Sequence, residues 1–182
     1  MRITPAASAL ICLLTMCGSS ASAEPLIQSE RFDDWFYRCV DAAEGNEQKR
    51  SSCEVVQIAQ TKQGEETINL LTVSLSESIQ DKQKNTALTV LAPLNVFLPA
   101  GLDLSVDQGK NVTLQYRNCN NAGCWVQHLV DNEMLSALKS GQSGVAKLRL
   151  INGQNLSVKF SLKGLSPALK SLQDGKQPKE KS

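Results

Sequence analysis

The residue types in this chain best suited to chemistry are its six cysteines and its single histidine. Four of the cysteines form two sequence-neighbouring pairs, Cys39 with Cys53 and Cys119 with Cys124. A zinc site of four thiolates is the alternative to two disulfides, but such sites favour pairs about two to four residues apart, and only the second pair comes near. Neither pair has the spacing of a thiol–disulfide exchange motif. We therefore predict two disulfides and no metal site.

A catalytic site would have to be built around His128. Ser136 and Asp131 are close to it in sequence and are the types that serve as nucleophile and orienting carboxylate. Nothing in their spacing fixes the geometry, and His128 falls on the apolar side of a strand, as a packed or edge histidine does. Asp33 and Asp34 are neighbours on a strand and point to opposite faces, so they form no acid–base couple. We predict no catalytic residue and no cofactor; an enzyme using His128 is the alternative.

The N-terminus has the pattern of a secretory signal peptide. Arg2 precedes an apolar core around residues 10–14, and Ala21-Ser22-Ala23 supplies small residues for cleavage, so residues 1–23 are predicted to be removed. Cys17 raises the alternative of a lipoprotein signal, which the bulky residue before it disfavours. No later stretch has the roughly 20 apolar residues of a spanning helix. The pattern predicts an exported protein in an oxidising compartment, where disulfides form.

Charge excludes one class of partner. One of the 19 basic residues, Arg2, belongs to the predicted signal, which leaves 18 Lys and Arg against 18 Asp and Glu. A neutral chain lacks the overall basic excess of a nucleic-acid binder or a polybasic membrane binder. We therefore predict no nucleic-acid partner. The overall charge does not exclude a local basic patch.

Short alternating segments dominate the rest of the chain. Two stretches indicate helices, one capped by Asp131 and ended by Gly141, the other opened by Ser166-Pro167. Asn152-Gly153 predicts a tight hairpin. Strands are predicted over residues 32–40, 53–60, 67–77, 86–91, 102–107, 112–117, 124–130, 145–151 and 154–162. The fold class is all-β: an antiparallel β-sandwich or barrel-like domain with one or two short helices and two disulfides, over residues 24–173.

Three segments need separate interpretation. Residues 24–30 show no period and are interpreted as a lead-in, and residues 174–182 as a disordered polar tail. Residues 91–101 are apolar but contain two prolines, which prevent central strand pairing throughout. We interpret this last segment as a crossing between two sheets, with an exposed apolar groove for a partner as the alternative.

The hairpin between Cys119 and Cys124 is the candidate binding surface. Its tip is short and polar, and a bridge across its neck would hold it rigid. Tryptophan is enriched among binding anchors, although average burial favours a packed role. The candidate partner-binding residues are Arg117, Asn120, Asn121, Trp125 and His128.

Several of these features, in this order, resemble the invasion-associated locus B family. They are Trp35 with Cys39, Cys53 after a polar loop, the segment 98–107, the hairpin from Cys119 to Cys124, and the closing residues 160–165. The resemblance spans roughly residues 32–172. It implies an exported bacterial β-rich protein, located in the periplasm, associated with the outer membrane, or secreted.

The resemblance brings no catalytic residues to transfer. Together with the stapled hairpin it predicts a cell-envelope binding or interaction protein, with a protein or envelope component as partner and with host-cell invasion or envelope function as context. The alternative is a periplasmic chaperone-like or structural factor that uses the apolar residues 94–102.

Overall fold

The fold is a two-sheet antiparallel β-sandwich with two short helices. This computed structural model describes residues 27–40, 52–80 and 82–178. The predicted signal peptide, the polar loop 41–51 and the last four residues lie outside the described residues. The elements are β1 Ile27–Phe32, β2 Trp35–Val40, β3 Ser52–Gln63, β4 Glu66–Gln80, β5 Gln83–Ala92, β6 Leu102–Val106, β7 Val112–Leu114, β8 Tyr116–Asn120, β9 Gly123–Val130, α1 Asn132–Ser140, β10 Ser143–Arg149, β11 Asn155–Ser161 and α2 Leu165–Gln173.

The larger sheet has seven strands in the order β1-β2-β3-β4-β5-β9-β8, and the smaller has four in the order β11-β10-β6-β7. Every pairing between these strands is antiparallel. The predicted all-β class with two short helices is therefore confirmed, and the sheets form a sandwich rather than a closed barrel.

Alternating side chains of both sheets build the core between them. In β2 the predicted face of Trp35, Tyr37 and Cys39 is buried, while the residues between them are more exposed. The same period of two continues through the larger sheet and into the smaller one, because successive strand residues point to opposite faces. The inward residues of the other strands include Val55, Leu71, Val73, Leu75, Leu88, Val90, Val126, Leu102, Leu104, Ala146, Leu148, Val158 and Phe160.

The lead-in predicted over residues 24–30 is wrong where it is described, because residues 27–32 form edge strand β1. Its polar side chains leave no clear alternation of apolar residues in the sequence. Backbone pairing with β2 holds the strand in place. The strand predicted over residues 32–40 is broken by a turn at Asp33, which has a left-handed φ of 50°. The carboxylate of Asp33 pairs with Lys163 at 3.3 Å, at the far end of the chain.

One predicted strand is divided between the two sheets. Residues 112–114 form β7 at the edge of the small sheet, and residues 116–120 form β8 at the edge of the large one, with Gln115 between them. The chain first crosses in the opposite direction through residues 93–101, where Val96 makes a single bridge to Leu150. That segment ends in one 3₁₀ turn, Leu98–Ala100. The interpretation of residues 91–101 as a crossing between the two sheets is therefore confirmed.

Helix α1 begins and ends as its sequence predicts, whereas α2 begins at Leu165, one residue before the predicted Ser166. The Asp131 side chain caps α1 by accepting a hydrogen bond from the Met134 N–H at 2.7 Å, and Gly141 ends the helix. Helix α2 follows Gly164, which takes a left-handed φ of 89°. A side chain at Gly164 would collide with the Phe32 carbonyl oxygen, so glycine is required there. Buried residues of α2, Leu165, Ala168, Leu169 and Leu172, complete the core beneath β1 to β4.

Two buried polar side chains join the sheets. The indole Nε1–H of Trp35 donates to the Ser161 carbonyl oxygen at 3.0 Å. Gln57 is 7% exposed; its amide N–H donates to the Asp34 carbonyl oxygen at 2.9 Å and its amide oxygen accepts from the Ser161 N–H at 3.1 Å. Strands β2 and β3 of the large sheet are thereby bonded to the end of β11 in the small one.

The start of the predicted disordered tail lies against the large sheet. The Tyr37 hydroxyl donates to the Lys176 carbonyl oxygen at 2.7 Å, and Pro178 is buried. Residues 174–177 are exposed, so this segment contacts the core through the Lys176 carbonyl and Pro178, and the disorder predicted for residues 174–182 stays a prediction. Residues 179–182 lie outside the described part of the chain.

Candidate functional site

The two predicted disulfides are present. Cys39 and Cys53 face each other across β2 and β3, and Cys119 and Cys124 face each other across β8 and β9. Each bridge therefore joins directly opposed residues of adjacent antiparallel strands, with Cα atoms 4.0 Å apart. The first is fixed to the core by the buried Cys39, and the second has one exposed partner, Cys119. These bridges engage all four of the cysteines that lie in described strands.

The second bridge braces the hairpin of β8 and β9, whose tip is Asn120 to Gly123. The Asn120 side-chain oxygen accepts a hydrogen bond from the Ala122 N–H at 2.9 Å, which closes the turn locally. Gly123 has a φ of 146° and lies so close to the Ala92 carbonyl oxygen that a side chain there would collide with it. The tip is thus held both across its neck and against β5, while Asn120 and Asn121 stay exposed.

Arg117 projects from the edge strand at an irregularity in its pairing. The register of β8 on β9 shifts between Tyr116 and Asn118, so Arg117 is the extra residue of a bulge. Its guanidinium donates to the Gln127 side-chain oxygen at 3.1 Å, and both side chains are exposed. The bulge therefore presents a cation beside the face of the large sheet that points away from the core.

A shallow groove of about 320 Å³ opens beside Arg117 on this outer face. Most of its walls were not predicted from the sequence, because they come from four different strands, β4, β5, β8 and β9. The available signal was the period of two, since Ser76, Thr89 and Gln127 alternate with buried apolar residues. The remaining lining residues are Glu77, Ser78, Gln80, Ala87, His128 and Leu129. The groove is mostly polar and can offer hydrogen bonds from hydroxyl, amide and guanidinium groups.

His128 lies opposite Leu88 and is half-buried at the rim of the core. The other two residues of the trio that the sequence suggested, Asp131 and Ser136, lie at the start of α1 and within it. The carboxylate of Asp131 is committed to capping α1 through the Met134 N–H, and Ser136 is exposed on that helix. Glu77 is the one acidic residue that lines the groove together with His128. The arrangement suits hydrogen bonding to a bound group more than activation of a nucleophile.

Trp125 is half-buried on the outer face, opposite Leu91. Its Nε1–H is covered and has no hydrogen-bond partner among the described residues. The hydroxyl of Tyr116, on the inward side of β8, is likewise covered and unpaired there, and burial raises the pKa of Tyr116 to about 12. Of the five candidate partner-binding residues, Arg117, Asn120 and Asn121 are therefore exposed, whereas Trp125 and His128 are half-buried.

The described residues place further limits on the site. No three or more His, Cys, Asp or Glu side chains come close enough there to hold a metal ion. No helix in the described ranges is both long and apolar enough to cross a bilayer.

The fold and the site together define a class of protein: a two-sheet β-sandwich domain with two cross-strand disulfides and a braced polar hairpin. The sequence model of the invasion associated locus B (IalB) protein family matches residues 35–173, which is most of the chain. The chain belongs to that family.

A crystal structure of invasion associated protein B from Bartonella henselae has a similar fold, with a TM-score of 0.65. Its sequence is 19% identical, and the match covers 80% of this chain and 95% of that one. Among curated proteins, no sequence matches. The predicted resemblance is therefore confirmed, and the structural likeness supports the sandwich fold.

Proposed function

We propose that this protein is a binding protein of the cell envelope and that it contacts a protein or another envelope component through its stapled end. The stapled end is the hairpin of residues 117–128 together with the groove beside Arg117. The observation that carries the proposal is that Asn120 and Asn121 are exposed on a tip fixed at two points, by the bridge from Cys119 to Cys124 and by the contact with β5. A pre-ordered surface loses little conformational freedom when it binds.

A binding role fits the groove better than a catalytic one. Its polar groups are mainly hydroxyls and amides with one guanidinium, and such groups fix the orientation of a bound polar group. The lining also holds the imidazole of His128 and the carboxylate of Glu77, and that carboxylate is paired with Lys84 at 3.3 Å. A variant His128→Ala tests the alternative, since loss of an envelope phenotype in a protein that still folds and still binds would favour an enzyme. Exported location and a contribution to invasion or envelope integrity are part of this proposal, in line with the family name and the two disulfides.

The test is photo-crosslinking in living cells from a photoreactive residue at position Asn120. Glu65 is the matched control, because it also lies exposed at the turn of a hairpin, between β3 and β4. We expect a discrete crosslinked species from Asn120 that is absent from Glu65. The same species from both positions, or none from either, would contradict the site.

Two further variants separate chemistry from rigidity. Arg117→Ala removes the cation while the bridge stays, and we expect weaker capture from Asn120. The double variant Cys119→Ser, Cys124→Ser keeps every polar group of the site but frees the neck. In the chain-entropy treatment a loop of this size stabilises the fold by about 2 kcal/mol, so the double variant should remain folded. Full capture by this variant would show that bracing is unimportant for binding.

A further inference from the structure

Charge is divided unevenly along this nearly neutral chain. Residues 134–173 contain six basic residues and no acidic one. Residues 24–133 contain nine basic and 16 acidic residues. The basic stretch runs through most of α1, then β10, β11 and α2, so it supplies two of the four strands of the small sheet. Strands β10 and β11 of the small sheet therefore carry basic residues and no acidic one.

Three of these cations project from the outer face of the small sheet. Lys147 and Arg149 alternate along β10, and Lys159 lies on the adjacent β11; all three are exposed. A groove of about 340 Å³ on this face is lined by Lys147 and Arg149, with Asn155 and Ser157 among its other walls.

The one carboxylate that lines this groove belongs to Asp103. It lies opposite Lys147 in the register and accepts a hydrogen bond from the Thr113 hydroxyl at 2.5 Å. The small sheet's groove thus presents two cations against one anion. Lys159 of the same face lies beyond it, near the carboxylate of Asp107.

Apolar side chains protrude at one end of the same face. Ile151 follows Arg149 by two residues and is 71% exposed, and Phe97 is 41% exposed with the Arg149 guanidinium 5.7 Å from its ring centre. Backbone bonds hold the two segments side by side, from the Phe97 N–H to the Arg149 carbonyl oxygen at 2.7 Å and from the Ile151 N–H to the Asn95 carbonyl oxygen at 2.9 Å. Leu94 and Leu98 of the same crossing are also exposed.

We propose that this face, the basic–apolar face of Phe97, Lys147, Arg149, Ile151 and Lys159, docks on the surface of an anionic phospholipid membrane. The cations fit the phosphate layer, and the protruding Phe97 and Ile151 fit the boundary between headgroups and acyl chains. Charge complementarity argues for this occupant, since Ile151 lies within a 40-residue stretch, residues 134–173, that has no acidic residue, and the Arg149 guanidinium lies 5.7 Å from the Phe97 ring centre. The proposed membrane contact uses none of the residues of the stapled end. A negative result for membrane docking therefore leaves the proposed binding function standing, and the reverse also holds.

The test is sedimentation with lipid vesicles, using protein recovered from the envelope of expressing cells. Vesicles of phosphatidylglycerol and phosphatidylethanolamine are compared with vesicles of phosphatidylcholine. We expect binding to the anionic vesicles, a loss of at least about tenfold when salt is raised from about 0.1 to 0.5 M, and little binding to the neutral ones. Equal binding to both kinds of vesicle, or none to the anionic ones, would overturn the proposal.

Paired variants locate the binding face. Lys147→Gln with Arg149→Gln, and separately Ile151→Ser, are each expected to weaken vesicle binding by about tenfold. Ile79→Ser is the matched control, because Ile79 is 69% exposed but belongs to β4 of the large sheet. A control variant that weakens binding as much as Ile151→Ser would exclude this face.

Two other ligands of the basic–apolar face, free phosphate and a protein, would give results different from those of a membrane. Displacement of the protein from vesicles by millimolar inorganic phosphate at constant ionic strength would show that the groove takes free phosphate, which would overturn membrane docking. A photoreactive residue at Ile151 should capture lipid in living cells. Capture of a single protein in place of lipid would show a protein interface there and would equally overturn the proposal.

Discussion

Replacing Gln57 by leucine tests how the two sheets are held together. Its side chain is 7% exposed and makes two hydrogen bonds, one to the Asp34 carbonyl and one from the Ser161 N–H. Leucine has a similar volume, so the substitution removes both bonds without opening a large cavity. What it leaves behind is one backbone acceptor and one backbone donor between the sheets, each without its partner.

The expected loss follows from those two groups. An unsatisfied buried group costs about 1–3 kcal/mol. Asp34 is exposed and Ser161 is half-buried, so water can reach part of each backbone group and the cost falls in the lower part of that range. We expect Gln57→Leu to lower the free energy of unfolding by about 2–4 kcal/mol, a large part of the total for a domain of this size.

Urea unfolding under oxidising conditions, followed by tryptophan fluorescence, measures this loss. With a dependence of about 2 kcal/mol per molar urea, the middle of the typical range, the midpoint should fall by about 1–2 M. Gln63→Leu is the control, because Gln63 lies exposed near the end of the same strand, and it should change the stability by less than about 0.5 kcal/mol. A midpoint for Gln57→Leu that matches the control would refute the assigned role of the amide.

Three other predictions concern titration and packing. Burial raises the pKa values of Tyr37 and Tyr116, the latter to about 12. Absorbance near 295 nm should therefore show both tyrosines ionising above pH 10, and stability should fall as pH rises through that range. A tyrosine transition centred at pH 10 would contradict the burial. The N–H groups of Ser143, then Gln142, lower the pKa of Asp107, so its contribution is present above pH 3.8 and is lost as pH falls through the lower folded value. Asp107→Asn should flatten that acid dependence in urea titrations. Gly144→Ala would place its Cβ inside the ring of Phe160 and should cost about 1–3 kcal/mol, whereas Gly153→Ala meets no neighbouring atom and should lose only the cost of its left-handed backbone.

The parts of the fold that follow from local chemistry were predictable from the sequence. Caps at Asp131 and Gly141 bound the first helix, and Asn152-Gly153 forms the turn of a hairpin. The disulfides followed from the spacing of the cysteines, and the candidate hairpin followed from the bridge at its neck. In each case the residues that specify the element lie within it.

The parts that depend on partners elsewhere in the chain were not predictable in this way. Val112, Leu114 and Tyr116 alternate without interruption, so their period gives no sign that the chain changes sheets at Gln115. The hairpin between β3 and β4 turns at Gly64 and Glu65 alone, because residues 61–63 and Glu66, which lie outside the predicted strands, continue the backbone ladder. The outer-face groove has the same origin, since its walls meet only when four strands, β4, β5, β8 and β9, are paired.

The pairing of the four strand cysteines has a consequence for the time course of synthesis. Each bridge joins a cysteine to the next one along the described chain, so an oxidant that meets the cysteines in order of emergence makes the correct bonds. No later rearrangement of a wrong bond is required. Closure of the core must wait longer, because α2 follows every strand and supplies buried leucines beneath β1 to β4. Covalent bracing can therefore precede the final packing, and a chain stopped before residue 165 would carry both bonds around an open sandwich.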